Sequence, residues 1–307
     1  MVEEIKAKIL ITGINGMLGQ DLGEIFNSDY ELFGIDINKD KASKNKVFPA
    51  DITDRKSLDL IFAQIKPWLV IHAAAFTNVD AAETQTEQAK AVNVTGTDNI
   101  AFLCQKYQAK LVFISTDYVF NGKKGSAYIE SDMADPLNYY GHSKLAAEQC
   151  ISKYLSDYLI VRTSWLFGIN GKNFVKAIIN KAKQDGALKV VDDQIGSPTY
   201  TLSLAQGLYW LIKKVFHLNP DPANYGVYHL TNSGQCSWYE FAREILELSN
   251  IKAVIEPVDS DYIMRPAKRP AFSVLDKSRF EKVTGKKLCL WTEALAQYLE
   301  QEKKQSL

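Results

Sequence analysis

Cysteine is scarce in this chain and follows no recognisable pattern. The 307 residues include only four, Cys104, Cys150, Cys236 and Cys289, and no two of them form a C-x-x-C pair. Zinc sites and redox motifs need close spacing of their ligands. The four histidines likewise form no cluster with carboxylates at metal-binding spacing. We therefore expect four reduced thiols in a reducing compartment and no metal site.

Net charge and long apolar runs are also absent. Thirty-six Lys and Arg balance thirty-six Asp and Glu, so no overall field draws the protein to nucleic acid or to an anionic membrane. No stretch approaches the ~20 apolar residues of a membrane span, and the first eight residues contain no apolar signal core. We expect a cytoplasmic protein that binds neither nucleic acid nor membrane. Its hydrophobic fraction of 46% is enough for a sizeable core.

The first half of the sequence alternates regularly between strand and helix patterns. Short apolar runs predict buried strands at 8–12, 31–36, 47–51, 68–73, 110–115 and 158–163. Helical patterns lie between them at 17–27, 53–66, 86–107 and 136–154. This alternation predicts an α/β fold with a doubly wound parallel Rossmann sheet. Ligands of such sheets bind at the carboxyl ends of the strands.

A glycine triplet follows the first predicted strand and opens the first predicted helix. Gly13, Gly16 and Gly19 have the spacing G-x-x-G-x-x-G. Glycine here permits a tight turn and close backbone approach to a pyrophosphate, which the helix N-terminus attracts. A plain strand-to-helix turn is the less favoured alternative. The predicted dinucleotide contacts from this loop are Gly13, Asn15, Gly16, Met17 and Leu18.

Further cofactor candidates follow the next strands. Asp36 ends the second strand, where a carboxylate binds the adenosine ribose. It slightly favours NADH over NADPH because it repels a 2′-phosphate, a preference that Lys39 and Lys41 soften. The remaining candidates are Asp51, Ile52, Ala73, Ala74, Ala75 and Thr77. Taken alone, Asp51 is equally compatible with a helix cap.

The second half of the sequence is less regular, and no linker separates it from the first. Helical patterns at 173–184 and 198–215 are mixed with strand patterns at 188–191 and 226–230. We predict an NAD(P)-binding Rossmann domain over 1–168 and a smaller, interleaved substrate-binding region over 169–307. Within that region, 192–218 is predicted to return and pack on the Rossmann domain.

A third motif carries acid–base chemistry. Tyr140 and Lys144 are four residues apart in a predicted helix and so share one face. A neighbouring ammonium and a positively charged nicotinamide ring lower the pKa of a phenol from its usual ~10. Tyrosine can then exchange a proton with a substrate alcohol or ketone, and Thr116 can hydrogen-bond the same oxygen. The Y-x-x-x-K spacing is weak evidence for catalysis when taken alone, and the presence of the glycine loop in the same sequence strengthens it.

Together these motifs resemble the extended short-chain dehydrogenase/reductase family over essentially the whole chain. Four stretches resemble its dTDP-4-dehydrorhamnose reductase branch specifically, at 72–83, 115–122, 162–168 and 193–200. The resemblance implies that NADH or NADPH reduces the C4 keto group of dTDP-4-dehydro-6-deoxy-L-mannose to give dTDP-L-rhamnose. The implied partner is thus a nucleotide-sugar substrate, and a homodimer is an open alternative to a single subunit.

The resemblance also implies roles for individual residues. Tyr140 is the proton donor to the C4 oxygen, and Lys144 holds the nicotinamide ribose and lowers the tyrosine pKa. Thr116 positions the C4 oxygen. The remaining implied substrate contacts are Tyr118 and Trp165 in the sugar pocket, Asn173 and Gln194 as weaker candidates, and Arg265 and Arg269 on the diphosphate. A solvated basic loop is at least as compatible with the two arginines.

Three alternatives to this function stay open. A related nucleotide-sugar 4-reductase or a 4-epimerase shares the same motifs. A non-catalytic NAD(P)-binding subunit, resembling the regulatory subunit of methionine adenosyltransferase, is the third. Dehydratases of the family carry Glu directly after the Thr-Asp pair, where this chain has Tyr118, so water elimination is disfavoured. The presence of Thr116, Tyr140 and Lys144 favours catalysis.

Other polar and aromatic residues are interpreted as structural. His72 is expected in the core and His142 at the surface. Asp21 and Glu24 are expected on a solvated helix face rather than in an intersubunit metal site. Trp238 belongs to a helix-core pattern.

Overall fold

The computed structural model describes residues 6–38, 46–218 and 220–305. Its centre is a seven-stranded, wholly parallel sheet in the order β11-β6-β5-β4-β1-β2-β3. The chain moves outward from β1 to β3 and then returns to β4 and the other side, so the order reverses between β1 and β4. This confirms the predicted α/β Rossmann fold, and the reversal places a ligand crevice at the carboxyl ends of these strands.

Thirteen strands lie in the described part of the chain. They are β1 (Lys8–Thr12), β2 (Glu31–Asp36), β3 (Lys46–Pro49), β4 (Leu69–His72), β5 (Lys110–Thr116), β6 (Tyr158–Thr163), β7 (Leu166–Phe167), β8 (Ala187–Val191), β9 (Ile195–Gly196), β10 (Thr199–Tyr200), β11 (Gly226–His229), β12 (Cys236–Ser237) and β13 (Val254–Val258).

Twelve α-helices accompany these strands over the same residues. They are α1 (Met17–Phe26), α2 (Arg55–Ile65), α3 (Val79–Ala82), α4 (Thr86–Lys90), α5 (Gly96–Tyr107), α6 (Tyr139–Tyr154), α7 (Phe174–Asp185), α8 (Thr201–Ile212), α9 (Trp238–Leu248), α10 (Ser260–Ile263), α11 (Ser278–Thr284) and α12 (Trp291–Gln305). Helical patterns predicted as single helices at 86–107 and 198–215 contain π-helical turns at Ala91–Thr95 and Lys213–Leu218.

Hydrophobic layers cover both faces of the central sheet. One layer is formed by α1 and α8, with Leu22 and Leu208 fully buried, and the other by α2, α5 and α6. A strand that is buried on both faces has a continuously apolar sequence. The apolar runs therefore predicted the central strands clearly. β3 lies at the sheet edge and ends at Pro49, as expected for a residue that cannot donate to the ladder.

A smaller lobe carries its own core. The helices α7, α9 and α12 pack with β8 around Phe241, Ile245 and Leu295. The chain crosses between the two bodies more than once, because α8 packs on α1 and β11 joins the central sheet beside β6. The boundary at residue 168 stays a prediction, and β11 lies in the Rossmann sheet although it follows that boundary.

Candidate active site

One cavity of about 810 Å³ opens at the carboxyl ends of the central strands. It is lined by the glycine loop, by the ends of β2, β4 and β5, by α6 and by the loop after β6. The structure brings most of the predicted site residues to its wall. These are Gly13, Gly16, Met17, Leu18, Asp36, Asp51, Ile52, Ala73, Ala74, Ala75, Thr77, Thr116, Tyr118, Tyr140, Lys144 and Trp165.

The glycine loop is shaped to let another backbone approach. Gly13 has φ of +70°, and a Cβ there would stand 2.9 Å from the backbone nitrogen of Ala74. Its own N–H donates to the Ile35 carbonyl at 2.8 Å. Gly16 precedes α1 and supplies no side-chain cap, so the first helical N–H groups face the cavity rather than a side chain. This is the arrangement that a helix N-terminus offers to a phosphate.

Asp36 stands at the end of β2 on the cavity wall. One carboxylate oxygen accepts the N–H of Asn15 at 3.1 Å, and the other accepts the N–H of Asn38 at 3.1 Å. Asn15 itself is not part of the lining and acts through this hydrogen bond. Lys39 and Lys41, which the sequence suggested as modifiers of cofactor preference, lie outside the described residues.

Asp51 follows β3, and His72 is the last residue of β4. Asp51 is exposed and accepts the N–H of Thr53 at 2.8 Å, while the cap of α2 is Asp54. The capping alternative for Asp51 is therefore wrong. His72 is fully buried and hydrogen-bonded to Thr12 and Thr97, which confirms its structural interpretation. Burial lowers the pKa of His72 to about 3, with the Lys144 charge acting in the same direction.

Thr116, Tyr140 and Lys144 all line the cavity. Thr116 ends β5, and Asn138 caps α6 by accepting the N–H of Gly141 at 2.8 Å. α6 begins at Tyr139, three residues after the predicted Pro136, because this cap ends the preceding extended segment. Lys144 is 2% exposed and donates to the Ile114 carbonyl at 2.7 Å.

Burial shifts the pKa values of Tyr140 and Lys144 in the chain by itself. Burial and the Asp117 charge raise the pKa of Tyr140 to about 12, against a smaller opposing effect of a hydrogen bond with Thr116. Burial also lowers the pKa of Lys144 to about 7, although the Glu148 charge opposes it. The lowering of the tyrosine pKa by Lys144 and a positively charged nicotinamide concerns the cofactor-bound state and stays a prediction. The lysine is desolvated and turned toward a carbonyl.

Asp117 is a site residue that motif reasoning did not single out. It is 2% exposed, lines the cavity, and accepts the Thr116 hydroxyl at 3.1 Å through Oδ1. Within the described residues, no hydrogen bond of normal geometry reaches its Oδ2. Burial raises the pKa of Asp117 to about 7, partly offset by the hydroxyls of Ser273 and Thr116. Its position directly after Thr116 was the only available signal.

A buried ion pair joins α6 to β6. Arg162 on β6 donates to both oxygens of Glu148 on α6, at 3.0 and 2.7 Å, and Ser115 donates to the same carboxylate at 2.5 Å. Both charged side chains are 6% exposed. Bidentate geometry in a dry setting fixes the two elements relative to each other. It thereby orients the turn of α6 that carries Lys144.

Aromatic side chains form the other end of the cavity. Tyr118 and Tyr140 contact edge to face, with ring centroids 6.1 Å apart. Trp165 lies stacked on Trp238, with centroids 3.6 Å apart and planes 9° from parallel. Trp238 packs against the core of the smaller lobe, which confirms its assignment to the helix core, and it also lines the cavity. Helical periodicity alone did not reveal this second position.

Several predicted substrate contacts lie away from the lining. Asn173 caps α7 and donates to the Gly168 carbonyl at 2.7 Å. Gln194 is buried and donates to Ser260 at 2.7 Å. Arg269 pairs with Asp80 at 3.0 Å, and Arg265 approaches the same carboxylate at 3.5 Å. Arg265 is exposed, as the solvated-loop interpretation expects, whereas Arg269 is largely buried against Asp80, so that interpretation is wrong for Arg269. None of the four lines the cavity.

Two acidic residues on α1 have different environments. Asp21 is 5% exposed, and burial raises its pKa to about 6 against a hydrogen bond from Thr201. Glu24 is exposed. The solvated-face interpretation is thus wrong for Asp21, because α8 packs over that side of α1.

His142 is exposed as expected. Over the described residues, no helix is both long and apolar enough to cross a membrane.

A family model for the RmlD substrate binding domain matches residues 7–304. The chain belongs to the RmlD substrate-binding domain family. The match covers both lobes and includes every residue that lines the cavity of this RmlD-family chain.

Relatives of this RmlD-family chain are similar over nearly their whole length. It is 36% identical over 298 residues to a dTDP-4-dehydrorhamnose reductase of Aggregatibacter actinomycetemcomitans, covering 94% of this chain and 97% of that one. A crystal structure of a dTDP-4-dehydrorhamnose reductase from Clostridium acetobutylicum has a TM-score of 0.88 at 38% identity, covering 96% and 99%. The enzyme of the same name from Bacillus anthracis, in complex with NADP, has a TM-score of 0.88 at 36% identity, covering 97% and 100%.

Proposed function

We propose that the protein is an NAD(P)H-dependent reductase of a nucleotide-linked 4-keto-6-deoxy sugar. The substrate is dTDP-4-dehydro-6-deoxy-L-mannose, and the product is dTDP-L-rhamnose. The observation that carries the proposal is the meeting of Thr116, Tyr140 and Lys144 on the wall of a cavity that begins at the glycine loop. Similarity to dTDP-4-dehydrorhamnose reductases over nearly the full chain supports the choice of substrate.

The chain fits a nicotinamide dinucleotide. The close approach of Gly13 to the Ala74 backbone leaves no space for a side chain at the start of the cavity, as close contact with a pyrophosphate requires. Asp36 stands where the adenosine ribose is bound in such sheets. A bound reduced nicotinamide supplies the hydride that adds to C4 of the sugar.

The side chains of the protein manage the accompanying proton. The raised pKa of Tyr140 keeps its hydroxyl protonated at neutral pH, so it can donate that proton to the C4 oxygen as the carbonyl is reduced. Thr116 hydrogen-bonds the same oxygen. Lys144 holds the cofactor ribose, and its protonation on cofactor binding stabilises the tyrosinate that remains after the proton leaves.

Cofactor preference is proposed to rest on Asp36. A carboxylate repels a 2′-phosphate, so NADH is slightly favoured over NADPH. The Bacillus anthracis relative, crystallised with NADP, supports keeping both cofactors in the proposal. Steady-state constants measured with each cofactor under the same conditions decide the preference.

Tyr118 and Trp165 are proposed to line the sugar pocket. Both lie on the cavity wall next to the catalytic cluster. Tyr118 occupies the position of the glutamate that drives elimination in family dehydratases. The pocket therefore supports reduction without loss of water.

The proposal is tested by incubating the protein with dTDP-4-dehydro-6-deoxy-L-mannose and NADH or NADPH. We expect loss of the reduced nicotinamide absorbance in proportion to sugar consumed. A 4-epimerase would convert the sugar with no net cofactor oxidation. A non-catalytic subunit would bind cofactor and leave both compounds unchanged, and either result would overturn the proposal.

A further inference from the structure

The two stacked tryptophans come from distant parts of the sequence. Trp165 belongs to the loop after β6 of the central sheet, and Trp238 is the first residue of α9 in the smaller lobe. Both side chains pack against the core of the smaller lobe. Their rings lie face to face with centroids 3.6 Å apart, and both line the cavity that also contains Thr116 and Tyr140. The stack therefore joins the loop after β6 to α9 and forms part of the site wall.

Trp238 is held in a rigid setting. Ser237 caps α9 in a capping box with Glu240, and its hydroxyl donates to Asp192 at 2.5 Å. Phe174 of α7 packs against the Trp238 ring, with centroids 4.5 Å apart. Capping and packing together fix the direction in which the indole leaves the helix.

Trp165 has an unfavourable backbone conformation. Its φ of +48° lies in the left-handed region, which costs free energy for a bulky residue. The Thr199 N–H donates to the Trp165 carbonyl at 3.2 Å, and the Ser164 hydroxyl donates to the Ser197 carbonyl at 2.7 Å, which fixes the backbone of the segment. The indole lies against Gly196, where a Cβ would come within 2.7 Å of Cζ2, and against the Trp238 ring. These ring contacts set the position of the indole.

We infer that Trp238 is a positioning residue, which holds Trp165 as a fixed wall of the sugar half of the site. The inference deepens the proposed function and rests on it. Stacked aromatic contact stabilises a ring position beyond the burial of its surface, so the Trp238 ring favours one rotamer of Trp165. With Trp165 fixed, the sugar is held at one distance from Tyr140 and the hydride donor, and small misplacements at this point are costly for rate.

The matched pair of variants is Trp238→Phe and Trp291→Phe. Both tryptophans open a helix of the smaller lobe, and both contact Phe241, with centroids 6.3 and 5.6 Å apart. Only Trp238 lines the cavity. Trp291→Phe thus reproduces the loss of lobe packing while leaving the site wall unchanged.

We expect Trp238→Phe to lower kcat for the dTDP-keto sugar at least fivefold, with kcat calculated per cofactor-binding site. Its KM for the sugar and its Kd for the reduced cofactor should change less than about threefold. The isotope effect on kcat with 4-deuterated cofactor should rise, because hydride transfer becomes slower relative to other steps. Trp291→Phe should leave kcat and the isotope effect near those of the wild type.

Equal effects of the two variants, or an unchanged isotope effect in Trp238→Phe, would reduce Trp238 to a packing residue and overturn the inference. Near-UV circular dichroism gives a readout that needs no substrate. Trp165→Phe and Trp238→Phe should remove the same coupled indole signal. Persistence of that signal in either variant overturns the inference. A wild-type protein that keeps this signal but leaves the sugar unreduced overturns the proposed function instead.

Discussion

The surroundings of Tyr140 disfavour its phenolate, which supports its proposed role as proton donor. Burial of the hydroxyl and the charge of Asp117 raise its pKa to about 12. A reductase requires the neutral phenol before the reaction and the anion after it. The chain by itself keeps Tyr140 as the neutral phenol. Positive charge in the cofactor-bound site must stabilise the phenolate.

Replacing Tyr140 with Phe removes the proton donor and keeps the ring that contacts Tyr118. We expect kcat to fall by about 10²–10⁴, the usual contribution of a positioned acid, with little change in Kd for the cofactor. Tyr139→Phe is the control, because Tyr139 neighbours it on α6 without lining the cavity. Wild-type turnover in Tyr140→Phe would exclude this role.

Lys144 makes cofactor binding depend on pH. Its pKa of about 7 in the chain by itself lies below the usual value, so near about pH 8 the amine is mostly neutral. An anionic cofactor raises that pKa, and binding at this pH should take up protons. Below about pH 6, where the amine is already charged, uptake should vanish. Calorimetry in buffers of different ionisation enthalpy measures it.

Lys144→Met should abolish this proton uptake, whereas Lys172→Met should retain it. Lys172 also lines the cavity but is exposed, so it is a matched lysine outside the buried cluster. If wild type takes up no proton at the higher pH, Lys144 does not change its charge on binding.

Asp36→Ala tests the cofactor preference. Removal of the carboxylate should raise kcat/KM for NADPH relative to NADH by roughly tenfold, since one unfavourable charge contact of about 1.4 kcal/mol is lost. Glu31→Ala at the opposite end of the same strand is the control. An unchanged ratio would remove Asp36 from the ribose site.

At the scale of elements, the position of α6 decides whether Tyr140 and Lys144 reach the ends of the strands. Gly141 has no space for a side chain, because a Cβ would overlap with the Tyr118 carbonyl oxygen and stand 2.9 Å from Pro136. The helix therefore sits directly against the turn after β5. This close contact brings Thr116 and Tyr140 together.

Gly141→Ala should push α6 away from that turn and lower kcat/KM at least tenfold. The displacement affects the geometry of both catalytic residues at once. His142→Ala, one residue further along the same helix and exposed, should have normal activity. Activity of Gly141→Ala equal to that of His142→Ala would show that the contact tolerates a methyl group.

Local patterns predicted most elements because strands such as β4 are buried on both faces and α1 has one apolar side. They failed where a partner from another element decided the outcome. Asp21 is covered by α8, and Trp238 stacks on Trp165 at the cavity wall. Neither contact is encoded in the adjacent residues, so helical periodicity placed Asp21 in the wrong surroundings and, for Trp238, indicated the core packing but not the position at the cavity.

At the scale of the whole molecule, the positive and negative charges balance, so anion binding depends on groups at the site itself. Three acids and two lysines line the cavity over the described residues: Asp36, Asp51, Asp117, Lys144 and Lys172. The site was predictable in outline because the carboxyl ends of parallel strands converge. The return of β11 to the sheet was not, because the partner of a strand depends on residues distant in sequence.

The central claim is reduction of the sugar at C4, and deuterium transfer tests it most directly. The protein is incubated with dTDP-4-dehydro-6-deoxy-L-mannose and a reduced cofactor deuterated at the nicotinamide C4 on the transferred face. NMR of the product should show dTDP-L-rhamnose with deuterium at sugar C4. A product without deuterium at that carbon, or unreacted keto sugar beside intact cofactor, would contradict it.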